Sequence, residues 1–136
     1  MDHIEALYYA LGELCYAIAK SSGRMSQKEK DRLHEILKGE FREHNGLIDP
    51  AEIIFHILQK EGMDSKTAYS WAIHEMKLNS EYMSESLKAH FVHVIQKVVN
   101  NFPSVTTEER LLISDFIQEL NKIKGDPIFS QLTEHS

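Results

Sequence analysis

Apolar residues recur at spacings of three and four along almost the whole chain, the period of helices that bury one face. In the first stretch Ile4, Leu7, Leu11, Leu14, Cys15 and Ile18 form a stripe that stops at the loop signal Ser21-Ser22-Gly23. Ser26-Gln27-Lys28-Glu29 then reads as a capping box, in which the Ser hydroxyl and the Glu carboxylate each take a backbone N–H of the other residue. It opens a second helix to about Arg42, with Leu33, Ile36, Leu37 and Phe41 inward, ended by His44-Asn45-Gly46. Asp49-Pro50-Ala51-Glu52 predicts a third start, capped by Asp49 with Pro50 at the first helical position. That helix carries Ile53, Ile54, Ile57 and Leu58 to Gly62. A fourth begins at Asp64 or Ser65, sets Ala68, Trp71, Ala72 and Met76 on one side, and breaks at Asn79-Ser80.

The long fifth stretch holds Met83, Leu87, Phe91, Val94, Ile95, Val98 and Val99 and ends before Pro103, because proline disfavours helix at the residue before it. Thr106-Thr107-Glu108-Glu109 is another capping box, followed by Leu112, Ile113, Phe116, Ile117, Leu120 and Ile123. Asp126-Pro127 opens a last turn with Ile128, Phe129 and Leu132. No stretch alternates with period two, and the Val-rich run Phe91 to Val99 has the spacing of a buried helix. The expectation is one all-α domain over residues 1–136, a compact array of six to seven helices.

Two of the hairpins resemble each other. Shifted by 80 positions, Leu11 meets Phe91, Leu14 meets Val94, Ile18 meets Val98, Ser26 meets Thr106, Glu29 meets Glu109 and Leu33 meets Ile113. This predicts pseudo-repeated hairpins over about 2–44 and 82–123, with two helices between them. Two copies suit a closed bundle better than a solenoid, which needs three or more.

Composition narrows the function classes. Of the 136 residues, 42% are hydrophobic and 26% charged, which supplies one core and a soluble surface. A net charge of −6 is repelled by phosphate backbones, so nucleic acid is not an expected partner. No apolar run approaches the ~20 residues of a membrane helix, and Met1-Asp2-His3-Ile4-Glu5 lacks the basic start of a signal peptide. The single cysteine, Cys15, excludes an internal disulfide and suits a reducing compartment. The expected location is the cytoplasm, without membrane insertion.

The stretch Leu14 to Leu33 resembles the tellurite-resistance TerB-like family. That family has an apolar helix ending in Ala-Asp-Gly, then a hydrophobic residue, a small polar residue and a Glu opening the next helix. Here Ala19, Gly23, Met25, Ser26, Glu29 and Leu33 match, and Ser22 stands where the family commonly has an acid. The second hairpin has Phe102-Pro103 there. The resemblance implies a bacterial-type helical domain linked to stress or envelope-associated complexes and working through a protein partner rather than as an enzyme. Family metal binding is ascribed to carboxylates in that loop, which this chain lacks.

Candidate chemistry lies instead on the helices. Glu40 falls between Ile36, Leu37 and Phe41, and Glu75 between Trp71, Ala72 and Met76. A buried carboxylate must be paired, hydrogen-bonded, metal-bound or protonated. If the two face each other, with His34 nearby, they suit a divalent metal or a shared proton; the alternative is that each reaches solvent. Among the eight histidines, several share a helix face with an acid or another His: Asp31 and His34, Glu40 and His44, Glu52 and His56, His90 and His93. No other cofactor is expected, since phosphate loops, nucleophile elbows and paired Cys-x-x-Cys motifs are absent. Tyr9 and Tyr16, seven apart, share a face off the main stripe of the first helix. That face is either a second packing surface or an interface for a protein partner or a second copy in a homodimer.

Overall fold

The computed structural model describes residues 2–23, 26–42, 48–101 and 105–123, and the side chains of all of these except 37–42 and 48–49. The fold is all-α. Its elements are α1 (His3–Ser21), α2 (Gln27–Arg42), α3 (Ile48–Glu61), α4 (Ser65–Leu78), a 3-10 turn (Ser80–Tyr82), α5 (Glu85–Asn100) and α6 (Thr107–Lys122). Hairpins α1–α2 and α5–α6 flank α3 and α4 in the sequence, and the described residues form no strand. No helix among them is long and apolar enough to cross a membrane. The turn expected at Asp126-Pro127 lies outside the described residues.

Local signals set the helix starts. Asp2, Asp64, Ser84 and Thr106 each accept a backbone N–H from the first turn of the helix they open, worth ~1 kcal/mol apiece. The Ser26 box is complete: Glu29 N donates to Ser26 Oγ and Ser26 N to Glu29 Oε1, both at 3.1 Å. Two boundaries differ from expectation. α4 breaks off at Asn79 as expected, but α5, expected to carry Met83, begins at Glu85 with Ser84 as its cap, because the chain first makes the 3-10 turn that seats Met83 in the core. α3 begins at Ile48, so Pro50 stands third in the helix. A first-turn N–H has no partner within the helix, so proline costs nothing there.

The core is organised around α1, which packs chiefly on α3 and α4, then on α5 and α6. Leu7, Ala10, Leu11, Leu14, Cys15, Ala17, Ile18 and Ala19 have no exposed surface. The expected one-sided stripe is therefore a helix covered almost all round, which its small residues permit. Gly12 is the closest approach. A Cβ there would lie 2.3 Å from the Ala51 carbonyl oxygen, so only glycine lets α3 come so near.

α3 meets α1 through Ala51, Ile54, Phe55 and Leu58, an i, i+3, i+4, i+7 stripe. Ile53 and Ile57, expected inward, are 55% and 44% exposed on its outer side. Trp71 and Ile117 are exposed as well. α2 rests mainly on α3 and α5, anchored by fully buried Leu33. Thr106 Oγ1 donates to Ser21 O at 2.9 Å and Asn101 Nδ2 to Glu29 O at 3.1 Å, tying the two hairpins together at one end. Core positions of α1 and α5 matched by the 80-residue shift are buried alike: Leu11 with Phe91, Leu14 with Val94, Ile18 with Val98.

Candidate metal centre

Three side chains meet where α2 crosses α3. Leu33 points into the core, which turns the next residue, His34, toward the edge facing α3. On α3 the inward stripe fixes the rotation of the helix, and Glu52 and His56 stand together one turn apart beside it. His34 Nε2 lies 3.6 Å from Glu52 Oε1. The His34 and His56 ring centroids are 5.0 Å apart, with planes tilted by 53°. One ligand atom from each of His34, Glu52 and His56 lies within 4.8 Å of the other two.

Two imidazole nitrogens and one carboxylate oxygen form a donor set for zinc or another first-row divalent ion. Ligand atoms around a tetrahedral zinc stand ~3.3 Å apart, given bonds of ~2.0–2.1 Å. The His34–Glu52 separation is close to that already, and His56 stands exposed beside them. Phe55, packed edge-on against both Tyr16 and His56, forms the rigid wall behind. A groove of about 410 Å³ opens beside the two histidines, with Lys30, Asp31, Phe55 and Gln59 among its walls.

Of the residues singled out in the sequence, His34 and the pair Glu52 and His56 are in this centre. Glu75 is not: it is half-buried on α4, where Asn79 Nδ2 donates to its main-chain oxygen at 2.8 Å and reaches Oε1 at 3.4 Å. The side chain of Glu40 and all of His44 lie outside the described residues. The acid that feels Glu75 is Glu13 of α1, which the helical stripe did not single out. Glu13 is 4% exposed, and burial, then the charge of Glu75, push its carboxyl up to about 7. Its signal was compositional: it is the one charged residue between Glu5 and Lys20.

On the tyrosine face, Tyr16 fits the first of the two alternatives, a second packing surface. Tyr16 is buried, stacks edge-on against Phe55, and its hydroxyl donates to Met63 O at 2.5 Å. Tyr9 is half-buried, with its hydroxyl pushed up by burial and then by Glu13, Glu75 and Glu61. Cys15 is a fully buried thiol pushed well up by burial, a state that suppresses the thiolate. Glu109 is fully buried too, and burial raises its carboxyl against the opposing pull of the Thr106 backbone.

No known protein family, curated protein or solved structure matches the chain.

Proposed function

We propose that this chain is a non-enzymatic, TerB-like helical domain that binds a divalent transition metal through His34, Glu52 and His56. The observation that carries the reading is the convergence of three ligand atoms, from the successive helices α2 and α3, within 4.8 Å. Three protein ligands leave a further position open, as in a site that exchanges ligands rather than a closed structural one. A cytoplasmic setting fits the single buried thiol, Cys15. The test is metal content of the purified, untagged protein with titration calorimetry for zinc, cobalt, nickel and manganese. One equivalent bound by the wild type and lost in His34→Ala and His56→Ala supports the reading. A protein that binds none of the four overturns it.

A second reading is favoured by Ile53 and Ile57, exposed one turn apart on the outer side of α3. Such a pair suits a protein-interaction module of a tellurite-resistance-like stress response, or a homodimer. Analytical ultracentrifugation over a range of concentrations tests the homodimer. Self-association lost in Ile53→Glu supports it, and a strict monomer removes it.

A further inference from the structure

We infer that the groove beside the metal centre binds a small organic carboxylate, one oxygen of which takes the open position on the metal; this rests on the metal reading above. The geometry sets the direction. His34 and His56 both line the groove and Glu52 does not, so an ion held by all three has Glu52 behind it and its free side toward the groove.

Charge sets the ligand class. Lys30 lies four residues before His34 and lines the same groove, as does Asp31, whose Oδ1 accepts from Gln27 Nε2 at 2.9 Å. A divalent ion, Glu52, Lys30 and Asp31 together leave one positive charge, which a monoanion neutralises. A phosphate dianion brings a second charge that Asp31 opposes. Lys30 and the Gln59 amide supply donors for the carboxylate oxygen that is not on the metal. Phe55 offers an apolar wall for the ligand's body, and about 410 Å³ is the size of a small-molecule site.

Cobalt(II) is the probe, because its visible spectrum reports the ligands on the ion. The cobalt-loaded full chain is titrated with benzoate, acetate and inorganic phosphate. The expected result is a saturable spectral change with benzoate, weaker with acetate and absent with phosphate. Lys30→Met weakens benzoate about fivefold, while the variant still takes up one equivalent of cobalt. A cobalt spectrum that benzoate leaves unaltered overturns the inference while the metal reading stands. So does a response to phosphate alone, or a loaded protein that dimerises and ignores benzoate, since a carboxylate of the second copy then holds the position. Failure to bind cobalt overturns the inference, and failure to bind any of zinc, cobalt, nickel and manganese removes the metal reading as well.

Discussion

Glu13, buried on the central helix α1, feels the charge of Glu75 on α4, and burial first and that charge second hold its proton up to about pH 7. The sign of the resulting pH dependence follows. In the unfolded chain Glu13 ionises near the ordinary value of 4.5, whereas in the folded chain it stays protonated to about 7. The native state therefore binds more protons between those values, and stability falls as pH rises through that window and levels off above it. Glu13→Gln mimics the protonated form. It is expected to remove this part of the slope and to gain on the order of 2 kcal/mol at pH 8. Urea melts of both proteins from pH 4 to 8 check it; parallel curves would mean that Glu13 does not titrate in the window.

Metal binding is expected to fasten α2. This helix rests mainly on α3 and α5, and the proposed ion joins His34 of α2 to Glu52 and His56 of α3. At a hundredfold excess over Kd, zinc should add ~2.7 kcal/mol to stability. Hydrogen exchange should slow in α2 more than in α5, and His34→Ala should abolish both effects. Uniform slowing over all helices would indicate a site elsewhere.

Gly12→Ala is expected to damage the fold. The new methyl would meet Ala51 O at 2.3 Å and Ile54 Cγ2 at 2.6 Å, and a backbone oxygen in a packed helix has little room to yield. A loss on the order of 3 kcal/mol is expected, read as a lower urea midpoint with α-helical circular dichroism retained in the native baseline. A change below a few tenths of a kcal/mol would show that α3 stands further from α1.

Tyr16→Phe removes only the hydroxyl that donates to Met63 O. It should cost ~1 kcal/mol in thermal or urea unfolding, since one neutral hydrogen bond is lost and the ring stays packed. Sedimentation of the variant should match the wild type, because Tyr16 is interior.

What the sequence made legible was local. Ser26 and Glu29 form the full capping box expected of them, and the apolar period set six helices. Thr106 caps α6 as expected, but Glu109 is drawn wholly into the core, which a capping pattern does not encode. Which face of a helix meets which neighbour is a tertiary matter. Four isoleucine-and-leucine positions marked α3 as apolar, yet its contact stripe includes Ala51 and Phe55 and leaves Ile53 and Ile57 outside. Glu13 was hidden for the same reason: the wheel of α1 shows a stripe, and only the surrounding helices turn the opposite side into interior. The candidate metal centre was half visible. Glu52 and His56 show as an i, i+4 pair, but nothing local joins them to His34 across the intervening residues.

The central position of α1 shapes how the chain is made. α1 leaves the ribosome before α3 and α4, its two largest partners, and the last residue of α4 is Leu78. At synthesis rates of ~5–20 residues per second, an almost wholly apolar helix waits several seconds for its cover. During that interval Leu7, Leu11, Leu14 and Ile18 stay open to water and to any other apolar surface until α4 emerges.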